Sequence, residues 1–82
     1  MRDTRYIVVK PGNTWSDVIA FSGYETGHKP CFTTEKTGIA LTFLYRNMAE
    51  HVAEELGEGW TVWEADNILR EVEKAYGVKV VP

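Results

Sequence analysis

Ile39–Leu56, IALTFLYRNMAEHVAEEL, is the longest stretch of the chain whose apolar residues recur at helical spacing. At roughly 100° per residue, Leu41, Leu44, Tyr45, Met48, Val52 and Leu56 make one stripe on a helix, and that stripe is the expected core face. Neither Gly nor Pro interrupts the stretch, and Gly57 follows as a left-handed cap. The start is less sharply marked. Thr34 suits an N-cap with Glu35 in the first turn, yet Gly38 is a poor helix residue, so the helix is expected to begin between Glu35 and Ile39. On the opposite side Ile39 and Phe43 share a window of about 100° with Arg46, Asn47, Glu50 and Glu54. Two hydrophobes among charges are either covered by another segment or form a contact patch.

Downstream, Gly57-Glu58-Gly59 leads into Trp60–Ala65 (WTVWEA), whose alternation reads as a strand with one Trp on each side. A single helix covers one side only, so the other Trp needs a second element or stays exposed as an anchor for a partner. Asp66 suits the N-cap of a second helix over Asn67–Tyr76, with Ile68, Leu69, Val72, Ala75 and Tyr76 on one stripe and Gly77 as its stop. Val78–Val81 reads as a last short strand.

Upstream, Tyr6–Lys10 (YIVVK) is a β-branched run closed by Pro11-Gly12-Asn13, a strand ending in a turn. Thr14–Ser22 (TWSDVIAFS) is open to two readings. Trp15, Val18, Ile19 and Ser22 have helical spacing behind a Thr14/Asp17 capping pattern, whereas Trp15, Ile19 and Phe21 suit an extended strand; the short helix is preferred. Gly23–Pro30 reads as a loop and Cys31–Thr33 as a short strand. Cys31–Thr33, the long helix and Trp60–Ala65 would then form a right-handed parallel crossover if the two strands are neighbours. The expected fold is a single α+β domain over residues 1–82: a three- to four-stranded sheet, one long amphipathic helix across it, and a second, shorter helix beside the first.

Eighty-two residues bury about 60% of their unfolded surface, so stability is expected to be modest. Three Trp, four Tyr and three Phe supply a core, which sets the chain apart from disordered sequences. The apolar runs are too short to span a bilayer, and residues 1–4 are not followed by a signal-peptide block, so a soluble, intracellular (cytoplasmic) protein is expected. Cys31 is the only cysteine, which excludes an intrachain disulfide and a cysteine-based metal cluster. The net charge of −3 is unevenly spread: residues 47–77 carry eight acidic and two basic side chains, residues 1–46 four and six. Such asymmetry suits attraction to a basic partner, or merely the solvated faces of helices.

Motifs for chemistry are sparse. His28 with Cys31 is the minimal nucleophile and base, without a third orienting group. His51 and Glu55 stand at i,i+4, which fits a surface pair better than half a metal site. Glu50, Glu54 and Glu58 lack the desolvated cleft that would separate their proton affinities for acid and base work. The glycine turns match no phosphate-binding pattern. Arg2, Arg5, Lys10, Lys29 and Lys36 are scattered rather than striped, although a small nucleic-acid-binding regulator using this basic half is the alternative function. No catalytic residue, cofactor or metal is expected.

What remains is recognition of another protein through aromatic anchors and acidic residues, with Phe43, Glu50, Glu54, Trp63, Glu64 and Asp66 as the candidate partner-binding set and a two-fold homodimer as a further option. Taken whole, with the segment CFTTEKTGIALTFLYRNMAEHVAEELGEGWTVWEAD (31–66), one Cys and an acidic α+β domain without catalytic motif, the chain resembles the small accessory proteins of bacteriophages and mobile elements, anti-CRISPR proteins in particular. That resemblance carries no residue role. It implies a stoichiometric inhibitor that binds a basic, nucleic-acid-binding surface of a CRISPR effector and blocks DNA entry or nuclease recruitment.

Overall fold

Tyr6–Lys10 folds as strand β1, and the computed structural model, which describes residues 4–14, 17–33 and 40–77, assembles the sheet around it. Ile7, Val8 and Val9 are all buried, which requires cover on both faces of the strand. The chain supplies a helix to each. Strands β2 (Ile19–Glu25), β3 (Lys29–Thr33) and β4 (Thr61–Glu64) complete a four-stranded antiparallel sheet in the order β3-β2-β1-β4. Helix α1 (Arg46–Leu56) closes one face around Val8, Phe21, Ala49, Ala53 and Val62. Helix α2 (Ile68–Tyr76), entered through a 3-10 turn at Ala65–Asn67, closes the other around Ile7, Val9, Val18, Ala20, Trp63 and Val72. The α+β class stands, but the second helix lies on the opposite face of the sheet rather than beside the first.

The long helix is shorter than its sequence suggests. Residues 41–43 are extended instead: Tyr6 and Phe43 exchange backbone hydrogen bonds at 2.9 and 2.8 Å, and the Leu41 N–H donates to the Phe21 carbonyl at 3.0 Å. β1 and β2 pair only at Val9–Ala20 and Lys10–Ile19, so their strands splay, and residues 41–43 satisfy backbone groups in the gap. Tertiary hydrogen bonding here overrides helical periodicity. Ile39 and the alternative starting positions lie outside the described residues.

The expected core stripe is also displaced. Leu41, Leu44, Tyr45 and Met48 are 39 to 63% exposed, while Ala49 and Ala53 face the sheet with Val52 and Leu56 at their margin. The sheet beneath already carries Val8, Phe21 and Val62, and small side chains let the helix approach it closely. Gly57 ends α1 with φ 111° and ψ −166°, an extended mirror-image conformation rather than the expected left-handed one. Gly77 is a left-handed cap, as its position suggests.

Ile19–Ser22, the second half of the expected short helix, is instead the start of strand β2. Thr14 and Asp17 form a tight turn, with Asp17 N–H donating to the Thr14 carbonyl at 3.0 Å and the Thr14 hydroxyl to the Asp17 carboxylate at 3.2 Å. Beyond it Val18 and Ala20 enter one core and Phe21 the other, as alternate residues of a strand buried on both faces do. Trp15 lies outside the described residues. Gly23–Pro30, read as a loop, is the β2–β3 hairpin, with Pro30 tolerated on the edge strand β3. Since β3 and β4 occupy opposite edges of the sheet, no parallel crossover joins them. The expected strand at residues 78–81 lies outside the described residues.

A register shift between Phe21 and Gly23 marks a bulge that brings Tyr24 onto the same face as Phe21, their rings edge-on at 5.1 Å. The hairpin curls toward α1: the Tyr24 hydroxyl reaches the Glu55 carboxylate at 3.5 Å, and Phe32 stacks on Trp60 at 5.1 Å. On the opposite flank of α1 the described residues leave an open groove between the helix and β4.

Candidate functional site

Arg46, Glu50 and Glu54 stand at i,i+4 intervals along the flank of α1 that faces β4, and Glu58 follows in the turn that leads to the strand. With Gly57, Gly59, Trp60, Thr61 and Val62 they line an open groove of about 330 Å³. Its floor is the side of β4. Arg46 is ion-paired with Glu50 at 3.2 Å, with both side chains more than half exposed, and its guanidinium sits 5.8 Å from the centre of the Tyr6 ring. A solvated pair of this kind contributes at most about 1 kcal/mol, so an incoming cation displaces it at little cost. Among the described residues no cation pairs with Glu54 or Glu58. Three carboxylates against one guanidinium leave the lining acidic.

The structure divides the six residues expected to contact a partner. Glu50 and Glu54 share the groove. Glu64 lies on the same sheet face by strand alternation, at the other end of β4 from Trp60, where its carboxylate accepts from the Asn67 side-chain amide at 3.4 Å. Asp66 stands beyond the strand and accepts the Arg5 backbone N–H at 3.3 Å; the residue preceding α2 is Asn67, which corrects the expected Asp66 cap. Trp63 is 5% exposed in the core beneath α2 and is no surface anchor, and Phe43 is half-buried against the core beneath α1. The indole at the groove is Trp60, half-buried and stacked on Phe32. Glu58, outside the expected partner-binding set, continues the Glu50–Glu54 spacing. What sequence alone could not show is that β4 returns alongside it.

The other titratable groups serve local structure. His51 pairs with Glu55 at 3.3 Å on the surface, as its spacing suggests. Burial, then the Glu55 charge and its hydrogen bond, hold the Tyr24 phenol above its ordinary range. The His28 ring stacks on Tyr24 at 4.1 Å. The Cys31 thiol is raised by burial first and by Glu25 second, which keeps it protonated, the reverse of what an activated nucleophile needs. Among the described residues no three His, Cys, Asp or Glu side chains gather as a metal ion would require. Arg5 and Lys10 sit at opposite ends of β1 and Lys29 on the far edge strand, so these cations form no single stripe. Arg2 and Lys36 lie outside the described residues. No helix among the described residues is long and apolar enough to cross a membrane.

The chain matches no family model, no curated protein and no solved structure.

Proposed function

We propose that this protein is a non-enzymatic, phage-encoded inhibitor acting in the cytoplasm of a bacterial host, where the acidic α1–β4 groove engages a positively charged surface of a nucleic-acid-processing complex. The observation that carries the reading is the convergence of Glu50, Glu54 and Glu58 on one groove with Trp60 at its floor. Solvated carboxylates steer and select a basic partner at small desolvation cost, and an aromatic floor supplies contact area. A surface that normally holds a nucleic-acid backbone presents the matching charge. The resemblance to anti-CRISPR proteins makes a CRISPR effector subunit the first partner to test.

The test uses a panel of purified effector complexes, nuclease-treated, with wild-type protein and the Glu50→Lys/Glu54→Lys variant. One effector is expected to form a stoichiometric complex with the wild type and to lose target-DNA binding. Charge reversal should weaken that complex at least tenfold. Absence of a complex across the panel, or a complex indifferent to the reversal, would overturn the reading.

A further inference from the structure

We infer that the outer edge of β4 is the docking rail of this groove, taking an extended basic segment of the partner as an added strand; the inference rests on the proposed binding function and names how the partner is held. The ladder determines which backbone groups face outward. Tyr6 pairs with Phe43 through both its N–H and its carbonyl, so β1 turns its odd residues toward β4, and the Ala65 N–H duly donates to the Arg5 carbonyl at 2.8 Å. Thr61 and Trp63 therefore bond inward to Val9 and Ile7, while Val62 and Glu64 point their N–H and carbonyl groups away from the sheet.

These two positions are treated differently. The Glu64 N–H is covered by the Glu71 carboxylate of α2 at 2.8 Å, which blunts that half of the edge. Among the described residues β4 pairs with β1 alone and none bonds to the outward N–H or carbonyl of Val62, whose side chain is buried beneath α1. This half, which no described residue caps, borders the groove, whose lining Thr61 and Val62 share with Glu50, Glu54 and Glu58.

Charge selects the occupant. Carboxylates four residues apart on a helix are separated by about 6 Å along its axis, and alternate residues of a strand by about 6.8 Å. An added strand with Arg or Lys at every second position thus presents cations at nearly the spacing of Glu50 and Glu54, while its backbone pairs with Val62. A second copy of this chain would bring the same carboxylates against one another, which disfavours self-pairing through this edge. Main-chain bonding for affinity with side-chain charge for selection is the mode of strand addition at sheet edges.

Amide hydrogen exchange followed by NMR on the full chain tests the inference, with the capped peptide Arg-Thr-Arg-Val-Arg-Thr as probe. In the free protein the Val62 amide should exchange much faster than that of Trp63, its inward-facing neighbour. Saturating peptide should slow Val62 at least tenfold, and N-methylation of alternate peptide amides should abolish that protection. A Val62 amide already as protected as Trp63 in the free protein would show the edge to be occupied and overturn the inference. So would a peptide that binds in a Glu50→Lys/Glu54→Lys-sensitive way while Val62 exchange is unchanged, an outcome that leaves the groove's proposed function standing. Failure of the groove to bind any basic partner would remove both.

Discussion

Ala49, fully buried where α1 meets the sheet, and Met48, 54% exposed beside it, show how much a single side chain's direction matters. Ala49→Leu inserts three carbons into a packed contact and is expected to cost about 1–3 kcal/mol in urea unfolding. Met48→Gln, on the face that periodicity assigns to the core, should change stability by less than about 0.5 kcal/mol. The reverse order would mean that α1 is rotated about its axis. Cys31 makes a second test at this scale. Because its thiol is raised by burial and by Glu25, the thiolate fraction at neutral pH is small, and alkylation by iodoacetamide should be slower than that of a free thiol, rising with pH through the elevated range. Glu25→Gln removes a charge and an acceptor that stabilise the protonated form. It should therefore accelerate alkylation below about pH 9, in line with the ordinary thiol range.

At the scale of elements, the two helices stop on glycines for different reasons. Gly77 occupies the left-handed region with φ 65° and ψ 22°, where Asn is also tolerated, and its N–H donates to the Glu73 carbonyl at 2.9 Å. Gly57, at φ 111° and ψ −166°, is in a region that side chains avoid. Gly57→Asn is expected to cost about 1–3 kcal/mol and Gly77→Asn less than about 1 kcal/mol, read from paired denaturation curves. Equal costs would show that the α1–β4 turn relaxes to another conformation. That turn sets the separation between α1 and β4, so Gly57→Asn should also weaken binding at the groove.

Across the whole molecule, β1 is shared by two cores: Ile7 and Val9 belong to the one beneath α2, Val8 to the one beneath α1. Neither core persists without that strand. Unfolding is expected to be one cooperative transition, with tryptophan fluorescence, which samples Trp63 in one core and Trp60 at the rim of the other together with Trp15, coinciding with far-ultraviolet circular dichroism. Separated midpoints would indicate that the α1 layer opens independently of the α2 layer. The uneven charge has its consequence at this scale as well. Glu50, Glu54 and Glu58 converge across one groove, whereas Asp66 is tied to the Arg5 backbone and Glu71 to that of Glu64. Acidity counted along the chain does not measure the acidity of a surface.

The α+β class, β1, β4, the span of α2 and the glycines that end both helices were legible in the sequence, because each rests on local chemistry: β-branched runs, alternation, and backbone conformations that glycine alone adopts readily. The Glu50–Glu54 face was legible for the same reason, since residues four apart on a helix must be neighbours. Only the tertiary structure decided that residues 41–43 bridge a gap in the sheet, that Ala49 and Ala53 rather than Leu44 and Met48 face the core, and that Ile19–Glu25 is a strand. These depend on which surface an apolar side chain meets and which distant backbone group needs a partner. The place of β4 beside the acidic flank of α1 belongs with them, because sheet order is settled by pairing across the chain and by the burial of both faces of β1.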